Sequence, residues 1–456
     1  MNNLVGLLGE HGANANIVGA VETYTVHQLM VYANAYRQTY SHLSKQPAAL
    51  IYTNAASFVV GMLAFDGHCS RLYLCSAVLA KDLDASITRI TIDLADASST
   101  KSPNTESVVQ SSIDEDQKQE RLSGRVKTDS QCSNVVTQWC LATSGTSGKP
   151  KWFAHTLASL TRNSKASLTL GDLCWANLYQ AYRYAGLQVL LQVLISGATL
   201  VDDDSDDLLL KIQCWVNTNV NAISATPSMW RQMLMSNHLH NVPLQRITLG
   251  GEIVDQPLLD KLAKLHPTAS IAHIYASTEA GVGFVVKDQL AGFPASWLQQ
   301  GVSNAQLAVD EKQHLRIKPK HELDAQLDTL IDDKGYLDTQ DIVRLEGDRV
   351  IFLGRASGVI NVGGNKVPPE KVESVILSVE GVSQAKVYGQ PNSVLGNLVV
   401  ADIVIEPNLE WVNISQTIRS QCKLFLQRFE IPVKLRKIDS LVMSPTGKLN
   451  RSDDHV

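Results

Sequence analysis

Apolar and polar positions along this chain fall into two periods that take turns. Between residues 20 and 95, "TVHQLMVYANAYRQTY" repeats its apolar positions at helical spacing, whereas "AALIYT" and "RLYLCS" are short apolar runs of the buried-strand type. The alternation resumes at 136 and continues to about 350 through "VVTQWCLATSG", "NAISATPSMWRQML", "RITLGGE" and "SIAHIYASTEAG". This patterning predicts an α/β fold. Several of the strands end directly in polar, glycine-bearing loops, the place where α/β sheets bind ligands. The longest apolar stretch, "LQVLLQVLISGATLV" from Leu187, is broken by Gln188, Gln192, Ser196 and Gly197, which predicts a buried helix running into a strand and not a membrane span.

Two segments depart from the alternation. Residues 96 to 135 are rich in Ser and charge and poor in aromatics, predicting a polar excursion at the surface or partial disorder. Near 355 the chain turns to "GRASGVINVGGNKVPPEKVESVI", where Gly354, Gly358, Gly363 and Gly364 punctuate the sequence as a hinge would. A small α/β pattern follows. The expected organisation is a large multi-sheet α/β domain over 1–353, a hinge at 354–357 and a small mobile α+β domain over 358–456.

Composition narrows the function classes. With 44% hydrophobic and 19% charged residues, the chain reads as an ordinary globular protein. A net charge of −5 with no basic stripe argues against a nucleic-acid partner. The cysteines, at 69, 75, 132, 140, 174, 214 and 422, are odd in number and lack C-x-x-C spacing, so neither a disulfide framework nor a zinc cage is indicated. The N-terminus "MNNLVGLLGEHGANANIV" lacks a basic n-region and a long apolar run, so no signal peptide is expected. A reducing cytoplasm is the expected location.

Candidate chemistry begins at "TSGTSGKPK", residues 143–151. A Walker loop would need a glycine where Thr143 stands and a magnesium-binding hydroxyl where Pro150 stands. What remains is a loop of four hydroxyls (Thr143, Ser144, Thr146, Ser147), two glycines (Gly145, Gly148) and two lysines, able to hold phosphate but equally a solvated Ser/Gly turn.

Five stretches in order decide between these. The loop resembles S/T-S-G-S/T-T-G-x-P-K-G; "YASTE" at 275–279 resembles Y-G-x-T-E; "GYLDTQD" at 335–341 resembles G-Y/W-x-x-T-G-D. "GRASGVINVGGNKVPPEKVE" resembles G-R-x-D-x-x-I-x-x-x-G-x-R/K-I/V-x-P-x-E-I/V-E, and "SPTGKLNR" at 444–451 resembles P-x-x-x-S/T-G-K-x-x-R. Together they span 143 to 451 and are similar to the motifs of the adenylate-forming superfamily of acyl- and aryl-CoA synthetases, luciferases and peptide-synthetase adenylation domains.

The resemblance implies that a carboxylate attacks the α-phosphate of ATP to give an acyl-adenylate, and that a thiol then displaces AMP. Such chemistry brings negative charges together and needs cations and N–H dipoles already in place. It implies that residues 143–148 and Lys151 hold the β- and γ-phosphates, that Glu279 holds Mg2+, and that Thr278 meets the α-phosphate or the metal shell. Tyr275 would stack on adenine, with Gly250, Gly251 and Glu252 lining the same pocket. Asp341 would accept from the ribose hydroxyls, assisted by Arg355. Lys448 would bridge ribose and α-phosphate during the carboxylate's attack. Rotation at Ser357 would then withdraw it and present Gly363 and Gly364 to a pantetheine arm. The implied acceptor is coenzyme A; the alternatives are the phosphopantetheine thiol of an acyl carrier protein, or an amine.

Four positions depart from the motifs: Ser147 for Thr, Trp152 and Gln340 for Gly, and Ser357 for a charged hinge residue. Tyr182-Arg183 stands where relatives carry an aromatic-His pair beside the acyl pocket. Arg183 either pairs with an acid group of the substrate or caps a strand end. The region up to about 135 is shorter than in most relatives, so part of the substrate wall is expected to be missing or supplied differently. An aromatic or medium-chain carboxylic acid is the expected acyl donor. Two other polar runs read as local structure. "DDDSDD" at 202–207 places carboxylates at the start of a helix, and His238 and His240 fall in a loop at a helix end.

Overall fold

The computed structural model describes residues 3–94, 135–143, 150–278, 281–320, 331–444 and 446–451. Two sheets with long parallel runs form the body. In the larger, the strand order is Gly281–Val286, Ser270–Ser277, Arg246–Gly250, Ala222–Ala225, Cys174–Ala176, Thr199–Val201, Asn16–Val18 and Thr23–Thr25. The six inner strands run parallel and both edge strands antiparallel. In the smaller, Thr88–Thr91, Pro47–Ile51, Arg71–Cys75 and Gln138–Thr143 are parallel, and Lys151–His155 closes the edge antiparallel.

One apolar core joins these sheets. The helix Ala55–Phe65, apolar but for Ser57, is buried at every residue and shares a cluster with the helix Tyr184–Ser196 and with strand residues of both sheets, among them Leu50, Leu72, Trp139, Trp175 and Leu200. The stretch from Leu187 is therefore the helix-into-strand unit its interruptions predicted, with Gly197 left-handed at the helix end and Thr199–Val201 following. Among the described residues, no helix is long and apolar enough to cross a membrane.

Two further sheets complete the chain. An antiparallel sheet of Phe293–Pro294, Arg349–Arg355, Leu337–Glu346, His314–Pro319 and Ala305–Val309 packs around Phe284, Phe293 and Val343. The last sheet comprises Asn365–Val367, Ile360–Val362, Gly396–Ile405 and Val382–Asn392, with Lys434–Lys437 beside the third of these. It packs with the helices Pro369–Leu377 and Trp411–Phe425 around a core of its own.

Local rules set the helix starts that matter below. Thr226 caps Pro227–Met235, its hydroxyl accepting from the Met229 N–H at 3.1 Å with Pro227 in the first turn. Asp207 accepts from the N–H groups of Leu209 and Leu210 at 2.7 and 3.3 Å, so the last acid of the 202–207 run opens a helix as expected. The first acid does something else. Asp202 accepts from the Ala55 N–H at 2.6 Å and the Asn177 amide at 2.7 Å, tying the buried helix to the large sheet. His238 and His240 lie in the turn after Met235, again as expected.

Asp202→Ala leaves these donors unpaired and is expected to lower stability by about 1–3 kcal/mol. Asp204→Ala and Asp206→Ala should stay within about 0.5 kcal/mol of the parent. Urea unfolding of the three variants measures this; equal losses from all three would contradict the assigned role.

Candidate active site

The carboxyl ends of adjacent parallel strands meet the 337–346 strand in one place. Ser270–Ser277 delivers Tyr275, whose ring stacks with Phe284 (5.0 Å, 10°) and Phe352 (5.3 Å, 9°). Its hydroxyl donates to Asp341. The Tyr275 ring is thus committed to an aromatic cluster, and its polar end to the carboxylate. The Arg355 guanidinium stands 3.2 Å from the other Asp341 oxygen and donates to the Thr339 carbonyl at 3.1 Å. Arg355 is itself well exposed, so its pull on Asp341 is partly screened. Gln340 adopts φ +59°, the left-handed conformation for which glycine is the unstrained choice. Gln340 thus occupies a turn that suits the glycine of the motif, and the Asp341 side chain stands beside Tyr275.

Lys448 reaches the same place from the other end of the chain. Gly251 has φ +84°, and a Cβ added there would lie 3.3 Å from Lys448 Cε, so the lysine stem runs over the Gly250–Gly251 turn. The ammonium is near enough to pull down the pKa of Asp341. Both peptide groups that flank this lysine are held by the large body. The Thr226 hydroxyl donates to the Gly447 carbonyl, and the Glu252 carboxylate accepts from the Leu449 N–H at 2.7 Å. Glu252 also accepts from the Ser228 N–H at 2.9 Å and hydroxyl at 3.0 Å. Glu252, assigned from sequence to the adenine wall, has its carboxylate engaged by Ser228 and Leu449. Gly447, with φ +71°, sits against Met229, whose Cε would be 2.0 Å from an added Cβ.

A second anchor was not foreseen. Arg451 donates through both terminal nitrogens to Glu373, at 2.9 and 2.7 Å, and lies 3.5 Å from Glu370. Glu373 also accepts from the Val387 N–H at 2.8 Å inside the last core. The signal was in plain sight: the final Arg of "SPTGKLNR" pairs with the acids of "PPEKVE". Glu370 presses on Gly354, where an added Cβ would meet its Oε2 at 2.4 Å.

The remaining sequence candidates are spread around this centre. Thr143 ends its strand, with its hydroxyl 3.5 Å from the Lys151 carbonyl, and Lys151 begins the antiparallel return strand. Ser144, Gly145, Thr146, Ser147, Gly148 and Glu279 lie outside the described residues; Thr278 follows the Tyr275 strand directly. Trp152 packs edge-on to Tyr73 (5.2 Å, 83°) against the small cluster of Ala49, Cys75 and Ile87, which gives the bulky residue a packing role. Tyr182 is buried against Tyr52. Arg183 donates to the Ala142 carbonyl at 2.9 Å, while its Nε is buried without a hydrogen-bond partner. Burial lowers its pKa below the usual arginine range. Gly363 (φ +56°) and Gly364 (φ +86°) form the two-residue turn between Ile360–Val362 and Asn365–Val367, a hairpin that needs positive φ at both positions. Ser357 lies in the short turn Ala356–Gly358 just beyond Arg355.

Comparison with known proteins matches residues 44–322 to the AMP-binding enzyme model and residues 371–448 to the AMP-binding enzyme C-terminal domain. The chain belongs to the AMP-binding enzyme family. A 2-succinylbenzoate–CoA ligase of Staphylococcus aureus is 26% identical over 340 residues, a match covering 68% of this chain and 65% of that protein. Among solved structures, an ATP-bound RpMatB–BxBclM chimera superposes with TM-score 0.74 at 17% identity, over 98% of this chain and 97% of the other. The o-succinylbenzoate CoA synthetase of Bacillus subtilis, in complex with its acyl-adenylate intermediate, gives 0.66 at 17%, over 98% and 96%. These likenesses show a shared α/β fold with a smaller C-terminal unit.

As an AMP-binding enzyme, the chain has a testable pH dependence at Asp341. Burial pushes this carboxyl above the usual carboxylate range, against the pull of Tyr275, Arg355 and Lys448. A raised folded-state pKa contributes stability that is present in acid and lost as pH rises through it. The ribose contact expected of Asp341 runs the other way, because a carboxylate accepts from both hydroxyls whereas a neutral carboxyl turns one oxygen into a donor. AMP affinity measured by calorimetry should therefore fall as pH drops through this raised pKa, above the range of an ordinary aspartate, and Asp341→Asn should bind weakly with a flat profile. A wild-type profile as flat as the variant's would contradict the assignment.

Proposed function

We propose that this chain is an ATP-dependent acid–thiol ligase of the AMP-forming acyl- and aryl-CoA synthetase class, organised as a body over 1–353, a hinge at 354–357 and a lid over 358–456. The observation that carries this reading is the convergence of Lys448, the Gly250–Gly251 turn and Asp341, distant in sequence, at one set of strand ends. A carboxylate oxygen of the acid attacks the α-phosphorus and the bond to the β-phosphate oxygen breaks, releasing pyrophosphate. The thiol sulfur of coenzyme A then attacks the acyl carbon, the bond to the AMP oxygen breaks, and the thiol proton leaves to solvent.

Each group has a task in the first step. Asp341, held by Tyr275 and Arg355, fixes the ribose. Lys448 neutralises charge that accumulates between ribose and α-phosphate. The 143–148 loop and Lys151 grip the departing pyrophosphate, and the Tyr275 edge bounds the adenine. Magnesium enters as part of the MgATP substrate, and oxygen donors of the Glu279 and Thr278 type suit it. In the second step, turning at Ser357 brings the Gly363–Gly364 hairpin to the thiol. The reading places the enzyme in the cytoplasm, where ATP and coenzyme A are supplied.

Arg183 bears on the acyl donor. Its half-buried guanidinium has a carbonyl for company and an unpartnered Nε, an arrangement that suits an anionic group brought by the acid. The 2-succinylbenzoate-specific names of relatives fit an acid carrying a second carboxylate.

Acid-dependent ATP–pyrophosphate exchange with benzoate, octanoate and 2-succinylbenzoate tests this. Exchange is expected with at least one, and Arg183→Leu should reduce the dicarboxylate's rate more than a monocarboxylate's. Lys448→Ala should lower exchange by about 10²–10³, while still converting supplied acyl-adenylate to thioester. Exchange with no acid in folded, ATP-binding protein, or equal loss of both half-reactions in Lys448→Ala, would overturn the proposal.

A further inference from the structure

Lys448 is useful only where its ammonium falls between ribose and α-phosphate, yet its side chain has four rotatable bonds and its loop belongs to the lid. Something must fix its Cα. The preceding peptide offers its carbonyl, at Gly447, to the Thr226 hydroxyl, and the following peptide offers its N–H, from Leu449, to Glu252 at 2.7 Å. The two holding groups are themselves fixed. Thr226 caps the helix Pro227–Met235, and Glu252 is locked to the first turn of that helix by the Ser228 N–H and hydroxyl. Within the loop, the Lys448 carbonyl accepts from the Ser444 N–H at 2.7 Å, so the turn arrives preformed.

We infer that Thr226 and Glu252 are positioning residues that latch both peptide groups around Lys448 and thereby stabilise the adenylating arrangement of the lid alone. The inference rests on the ligase reading for its catalytic consequence, but the latch itself is a physical contact that can be read without any acid. Both bonds cross from body to lid, so turning at the hinge must break them. Neither residue is required once the lysine has withdrawn. A hydrogen bond to a charged acceptor contributes about 1.5–3 kcal/mol, so its loss should reduce the latched population and the adenylation rate roughly 10- to 100-fold.

Two readouts test the latch. In limited trypsin digestion followed by mass spectrometry, cleavage after Lys448 should be slow in the wild type. It should be markedly faster in Glu252→Ala and Thr226→Val, with Thr226→Ser near wild type because it keeps the hydroxyl. Ser228→Ala, which loses one bond to Glu252 but leaves the Leu449 contact, should stay close to wild type. In kinetics with whichever of benzoate, octanoate and 2-succinylbenzoate gives the fastest exchange, Glu252→Ala should lose about 10- to 100-fold in exchange and Thr226→Val, whose lost bond is to a neutral carbonyl, about 2- to 10-fold. Thioester formation from the corresponding supplied acyl-adenylate should fall much less than exchange does in each variant. Thermal melts confirm that the variants are folded. Unchanged cleavage after Lys448, or an equal fall of both half-reactions in folded variants, would overturn the latch. Absence of exchange in the wild type itself would overturn the ligase reading, leaving the digestion result to judge the latch separately.

Discussion

The peptide bonds on either side of Lys448 are gripped by the ends of two elements of the large sheet body, a capped helix and a strand-end turn. This grip sets the requirements on much of what surrounds it. Gly251 has a left-handed φ that favours a bare residue, with the lysine stem passing over it, and Gly447 must be bare because its φ is left-handed and Met229 lies against it. Arg451 ties the same loop to Glu373 of the C-terminal core while the body holds its other end. The Lys448 loop is thus held from both sides, by Thr226 and Glu252 of the body and by Glu373 of the C-terminal core.

The aromatic cluster serves the other half of the site. Asp341 is a buried carboxylate, and burial alone would favour its neutral form. Tyr275 donates to it from a ring wedged by Phe284 and Phe352, while Arg355 and Lys448 approach from less buried sides. Under the proposed hinge motion, docking of the C-terminal unit would bring the Lys448 charge to Asp341, so docking and ionisation of this carboxylate would favour each other.

Much of this was legible in sequence. Apolar periods located the helix Val26–Thr39, the strands Pro47–Ile51 and Arg71–Cys75, and the helix-into-strand unit after Leu187, because in each case one period persisted long enough to fix which positions are buried. Asp341, Tyr275 and Lys448 could be named because they stand at positions that resemble family motifs, and the structure brings the three to one place. Their contacts could not. That Tyr275 serves Asp341, that Glu252 holds Leu449, and that Arg451 answers Glu373 are facts of long-range register, separated by 66, 197 and 78 positions. Departures from the motifs were also ambiguous until packing was known. Trp152 fills a gap beside Tyr73, and Gln340 occupies a left-handed turn that a glycine would enter without strain.

The proposed ligase cleaves ATP between its α- and β-phosphates in step with thioester formation. Phosphorus NMR of a single reaction containing the enzyme, MgATP, coenzyme A and an acid that supports exchange reads this directly. AMP and pyrophosphate are expected in equal amounts, matched by acyl-CoA, with no ADP. ADP and inorganic phosphate as products, or AMP released without a corresponding thioester, would contradict it.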